Sequence, residues 1–204
     1  MTRNVAIFLF DEVEVLDFAG PYEVFSVTGL RTFTEKPFHV YTVAEKSPVV
    51  ARNGLTIIPD YLLDTCPEPD LILIPGGGGF SPEGVAFGSR REMDNDVVLE
   101  WVKKHAAHVE LVLSVCTGAL ILGKAGLLEG LQATTHFKAL DALRAISPTI
   151  EVLEGVRYVD NGQVILSAGV SAGIDMSYYV VSKLLGKEVA DEAARYAQYD
   201  YWQE

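Results

Sequence analysis

Apolar and polar residues along this chain fall into two alternating textures. Short continuous apolar runs read as strands: NVAIFLF at 4–10, FHVYTVA at 38–44, LTIIP at 55–59, DLILIP at 70–75, VELVLSV at 109–115 and QVILSAG at 163–169. A strand covered on both faces has no reason to alternate. Longer stretches between them have helical character. GPYEVFSVTG at 20–29 carries Pro21 early and Gly29 near its end, the asymmetry expected of helix ends. Residues 94–106 place Val97, Val98, Trp101 and Val102 at roughly helical spacing. TGALILGKAG at 117–126, residues 137–146, the stretch 171–186 and an amphipathic segment from 187 to about 199 read as further helices. A short strand is expected around Ala133, a turn at Asn53-Gly54, and a hairpin at Asp160-Asn161-Gly162.

Strands buried on both faces and separated by helices predict an α/β architecture with a mostly parallel, doubly wound sheet. Ligands in such sheets sit beyond the carboxyl ends of the strands. That places the glycine loop at 76–79, Cys116 and the segment near Gly169 along one edge. With 204 residues and no linker-like stretch, the whole chain, 1–204, is expected to form one domain.

Composition narrows the partners. The chain is 49% hydrophobic and 22% charged, with 28 acidic against 16 basic residues and a net charge of −12. No basic cluster offsets this charge, which argues against nucleic acid and anionic membranes as partners. Two cysteines make no disulfide framework and point to a reducing compartment. The first apolar run is followed at once by Asp11, Glu12 and Glu14 and lacks a small-residue cleavage site, so it reads as a strand and not a signal peptide. No apolar run reaches the roughly 20 residues of a spanning helix. A cytoplasmic protein is expected.

Candidate chemistry centres on Cys116. It ends a strand and opens a helix, with small residues, Ser114 and Gly118, two positions to either side, as the tight turn of a nucleophile elbow requires. A helix N-terminus would draw the thiol below its ordinary value of about 8.5; a small buried hydrophobe is the competing reading. PGGGGF at 75–80 follows the neighbouring strand, and its backbone N–H groups could hold an anion unless the segment is a slack connection. It is no phosphate loop, lacking Gly-Lys-Ser/Thr. Asp17 is either a helix cap or a buried carboxylate beside the thiol. Residue 117 is Thr, so the cysteine has no histidine neighbour; His136 reads as structural, and Glu12, Glu14 and Glu23 as surface charge. No His/Cys/Asp set has metal-ligand spacing.

The stretches LFDEVEVLDFAGPYEVF, DLILIPGGGGF, SVCTGALILGKAGLLEGLQATTHF and GVSAGIDMSYYVV together resemble the ThiJ/PfpI superfamily, the class I glutamine amidotransferase-like group. Within it they are most similar to the branch holding isonitrile hydratases and the ligand domains of AraC-type regulators. The resemblance implies a flavodoxin-like three-layer sandwich with a nucleophile elbow, usually a homodimer. It also implies Cys116 as nucleophile, Asp17 as its carboxylate partner, Thr117 where amidases of the group have histidine, and Gly77, Gly78 and the Thr117 N–H around the reacting group. Two features differ: Phe137 stands where hydratase-like members commonly have Trp, and the sequence ends YAQYDYWQE where they run on through a Pro-rich tail. The implied activity is hydration of an isonitrile, a small-molecule substrate, to an N-substituted formamide, with no cofactor or metal. A ligand-sensing domain, or another cysteine-dependent hydrolase or glyoxalase, are the alternatives.

Overall fold

The computed structural model describes residues 2–30 and 33–200. Its central sheet has seven strands: β1 (Arg3–Leu9), β2 (Phe38–Ala44), β3 (Tyr61–Leu62), β4 (Leu71–Ile74), β5 (Leu111–Val115), β6 (Tyr158–Asp160) and β7 (Val164–Ser167). Their order is β6-β7-β5-β4-β1-β2-β3. Every pairing is parallel except that of β6 with β7. All residues of β4 and β5, and Val5 to Leu9 of β1, are buried. These inner strands carry helices on both faces, and this is why their sequences are continuous apolar runs.

Among the described residues seven α-helices flank the sheet: α1 (Val15–Val27), α2 (Ser89–Glu92), α3 (Asp96–Ala106), α4 (Gly118–Lys124), α5 (Leu140–Arg144), α6 (Ala172–Leu185) and α7 (Lys187–Ala197). Helices α1, α6 and α7 pack on one another in one layer, and α4 gathers α2, α3 and α5 in the other. The result is a flavodoxin-like three-layer α/β sandwich. From β1 the chain moves outward to β2 on one side, while β4, β5 and β7 build the other. The strand order therefore reverses between β1 and β4, which is where such sheets open a crevice. Among the described residues no helix is long and apolar enough to cross a membrane.

Several elements differ from the sequence reading. The first helix starts at Val15, not near residue 20, and Pro21 lies inside it; the proline marks no helix start because the preceding turn is already helical. Residues 55–59 do not join the main sheet. Asn53 adopts φ 65° and turns the chain back, so Thr56–Ile57 pairs with Val49–Val50 in a two-stranded ribbon. The stretch 137–146 divides into a 3-10 turn, Phe137–Ala139, and the short α5. The glycine segment is no slack connection: Gly78–Phe80 forms an antiparallel ribbon with Ala86–Gly88.

Candidate active site

Cys116 stands between β5 and α4 with φ 57°, a left-handed conformation rare for a residue with a side chain. The surrounding fold pins it there. Its N–H faces the carbonyls of Ser167 and Ala168 at 3.2 and 3.0 Å, and its carbonyl accepts from Thr135 Oγ1 at 2.7 Å. Gly118 is small because α4 must leave the sheet at once: a Cβ there would lie 2.0 Å from the Ile74 carbonyl oxygen. The elbow expected from Ser114, Cys116 and Gly118 is thus a steric consequence of how closely α4 passes over β4.

Asp17 does not cap α1. The N-cap is Glu14, which offers no side-chain bond. Asp17 is fully buried in the first turn, and its Oδ2 accepts the Gly76 N–H at 2.9 Å, while Oδ1 has no hydrogen-bond partner. Burial pushes its carboxyl up to about 7, against the opposing pull of the Gly76 N–H and the Cys116 thiol. The thiol itself is pushed up to about 12, first by burial and then by the Asp17 charge. This overturns the expectation that the helix N-terminus would lower it. The N–H groups of Thr117 and Val170 do bond the sulfur and favour its thiolate, but desolvation outweighs them. Around neutral pH the resting site therefore holds a neutral thiol against a carboxyl whose proton affinity burial has raised well above the usual carboxylate range.

Thr117 turns its hydroxyl toward the glycine segment. Gly77 N–H donates to Thr117 Oγ1 at 3.0 Å, and Ser89 Oγ lies 2.8 Å from that hydroxyl while donating to the Gly77 carbonyl at 2.7 Å. The Gly77 N–H expected to face an oxyanion is consequently committed to Thr117. The fold instead supplies the Val170 N–H beside the sulfur, from a residue at φ 41° that no sequence signal marked. Gly76 admits no side chain, since a Cβ would fall 2.4 Å from Thr117 N and 2.9 Å from Asp17 Oδ2.

Above the thiol opens a cavity of about 450 Å³, lined by Glu14, Arg52, Gly77, Gly78, Gly79, Arg90, Cys116, Thr117, His136, Lys138 and Val170. His136, read from sequence as structural, is in this wall. Its Nδ1 accepts the Lys138 N–H at 3.3 Å, and burial with the nearby Lys138 and Arg90 charges lowers its pKa, so it presents a neutral ring. Glu14, read as surface charge, lines the same cavity. Arg90 and Ser89 carried no signal in the sequence, because α2 is a single short turn reached only through the ribbon. Among the described residues no group of three or more His, Cys, Asp or Glu side chains could hold a metal ion.

The profile of the DJ-1/PfpI family matches residues 3–183. An isonitrile hydratase of Pseudomonas putida is 33% identical over 190 residues, covering 93% of this chain and 75% of that protein. The HTH-type transcriptional regulator CdhR of Pseudomonas aeruginosa is 26% identical over 190 residues, covering 93% of this chain but 53% of the regulator. Among solved structures, a ThiJ/PfpI family protein from Pseudomonas syringae superposes with a TM-score of 0.85 at 28% identity, covering 100% of this chain and 77% of that one. DJ-1beta of Drosophila melanogaster superposes at 0.81 with 19% identity, covering 98% of this chain and 100% of that one, a likeness of fold.

Proposed function

The chain belongs to the DJ-1/PfpI family, and from that premise we propose that it hydrates an isonitrile to an N-substituted formamide through Cys116. The observation that carries this reading is the Asp17–Cys116 pair: a cysteine held at a strand-to-helix elbow with φ 57° and a fully buried carboxyl whose Oδ1 has no hydrogen-bond partner, burial raising both groups. The similarity to an isonitrile hydratase over 93% of the chain supports it. A free thiolate is not what the site stores. It stores a proton that can move between sulfur and carboxylate.

The terminal carbon of an isonitrile needs both a nucleophile and a proton, and the pair supplies each. Asp17, as carboxylate, takes the thiol proton while sulfur bonds to the terminal carbon, and the same proton then passes to that carbon. The product is a neutral thioimidate on Cys116. Water adds to its C=N carbon as Asp17 accepts one proton of the water and nitrogen gains one. The C–S bond breaks, the thiol recovers its proton from Asp17, and the formamide leaves with the atoms of one water added. Thr117 positions the Gly77 turn and gives the thiol no histidine base, which disfavours a Cys-His amidase. The N–H groups of Thr117 and Val170 support sulfur while it carries charge.

The test is chromatographic detection of formamide from simple alkyl and aryl isonitriles. Wild type is expected to give product, and Cys116→Ala and Asp17→Ala to lose at least about a thousandfold in kcat/KM while keeping the fold. Product formation by Cys116→Ala at the wild-type rate would remove the thiol from the mechanism. A second reading, a ligand-sensing domain, draws on the similarity to CdhR; it predicts tight binding of a small molecule in this cavity with no turnover. A homodimer is part of the proposal, with light scattering as its check.

A further inference from the structure

The cavity above Cys116 carries three cationic side chains, Arg52, Arg90 and Lys138, against one carboxylate, Glu14, in a chain whose net charge is −12. Glu14 is engaged by Arg52, whose Nε lies 3.8 Å away. Arg90 is different. Its neighbour Arg91 pairs with Glu12 at 3.3 Å and Glu92 at 2.7 Å, whereas half-buried Arg90 makes one hydrogen bond, to Ser89 Oγ at 3.3 Å, and no ion pair among the described residues. A guanidinium presents five donors in a planar fork. Its remaining donors are left for solvent or for a ligand in the cavity whose wall it forms. Burial lowers its pKa, and a charge on the Cys116 sulfur would raise it, so the guanidinium sits within electrostatic reach of the reacting atom.

We propose that Arg90 recognises a carboxylate on the substrate, with Lys138 adding positive charge at the rim. The inference rests on the hydratase reading and names its substrate class: an isonitrile bearing a carboxylate a few carbons from the isonitrile nitrogen. The planar fork of Arg matches a carboxylate in a bidentate manner. A purely catalytic duty for Arg90, supporting charge on sulfur, would act on every isonitrile alike, and the two are separable.

The experiment compares isocyanoacetate with its methyl ester on wild type, Arg90→Gln and Arg90→Lys, reading kcat and KM separately. Wild type is expected to favour the acid, and Arg90→Gln to raise KM for the acid by about tenfold to a hundredfold more than for the ester. Arg90→Lys, which keeps the charge without the fork, should fall between. An acid-to-ester ratio of kcat/KM that Arg90→Gln leaves unchanged overturns the inference and assigns Arg90 to the sulfur. Calorimetric titration with N-formylglycine and its methyl ester supplies a readout that needs no turnover. If neither isonitrile reacts but N-formylglycine binds in an Arg90-dependent way, the hydratase reading fails and the anion site stands. If wild type prefers the acid in neither assay, the anion site fails even where both isonitriles are hydrated. Should Arg90→Gln not fold, the wild-type preference and Arg90→Lys decide the matter.

Discussion

Helices α3 and α4 lie in the same layer and obey different rules. Before α3, Asn95 is extended and its side chain accepts the Val97 N–H at 3.1 Å; Asp96 opens the first turn and Lys103, Lys104 and His105 fill the last. One face, with Val98, Trp101 and Val102, is buried, and the other is wet. Before α4, the chain passes through Cys116 at φ 57°, and Thr117 at the N-cap makes no capping bond. Its hydroxyl is spent on Gly77, and every residue from Gly118 to Gly123 is buried. Helix α3 is stabilised by its own sequence; α4 is held by its surroundings. Departures from local preference gather where chemistry needs a side chain in an uncommon place.

The largest test of this contrast removes the buried charge at the α4 end. Asp17 titrates near 7 in the fold against about 3.9 unfolded. The folded state thus binds the proton more tightly, so this stabilisation is full below about pH 4 and is lost as pH rises through about 7. The loss is about three units at about 1.4 kcal/mol each, or about 4 kcal/mol at most. Asp17→Asn cannot ionise and still offers an oxygen to Gly76 N–H. Urea unfolding at pH 5 and pH 8.5 is therefore expected to show wild type losing stability relative to the variant. Parallel pH dependences for the two would mean that Asp17 titrates normally in the fold. In the proposed mechanism the reactive form has one proton shared by the pair, so kcat/KM should rise with pH through about 7.

A smaller effect is expected from adding one methyl group beside the same pair. Gly76→Ala drives a Cβ to 2.4 Å from Thr117 N and 2.6 Å from Thr117 Oγ1. Neither the backbone nor the tethered hydroxyl can yield freely, so a loss of about 1–3 kcal/mol is expected, with turnover reduced as Asp17 and Thr117 shift. Gly79→Ala is the comparison, because its Cβ would meet the Phe87 ring at ordinary contact distances, 3.5 Å from Cζ and 3.9 Å from Cε1. Equal unfolding midpoints for the two variants would show that the approach of β4 to α4 is looser than the geometry implies.

The same contrast explains what the sequence made legible. The inner strands were readable because burial on both faces leaves continuous apolar runs, and α3 because its periodicity speaks locally. Cys116 was readable because an elbow constrains residues two positions away, so its steric demands are written nearby as Ser114 and Gly118. The direction of the thiol shift was not, since it depends on burial in the folded site and on the Asp17 charge brought in from α1, far off in sequence. The same holds for Arg90, which the ribbon carries into the cavity, and for the Val170 N–H. Residues 55–59 were readable as a strand and Asn53-Gly54 as a turn, but not the strand's partner, because a short apolar run is the same pattern whether it joins the sheet or folds back on Val49–Val50.

The smallest expected effect tests the locally specified side of the comparison. Asn95→Ala removes the bond to the Val97 N–H and the amide contacts to Glu45 and Glu92. A lost cap of this kind costs about 1 kcal/mol, or about 2–4 °C in Tm for a chain of this length. Asn95 lies outside the cavity above Cys116, so formamide production should keep its wild-type kcat/KM. Asn95→Asp sharpens the point: it preserves a capping oxygen but sets a third carboxylate against Glu45 and Glu92. It should therefore recover less stability than capping strength alone would give, and the deficit should shrink in high salt. If Asn95→Ala instead impaired turnover as strongly as it lowered Tm, α3 would be coupled to the elbow through its packing on α4, and the two helices would not be separable in the way their sequences suggest.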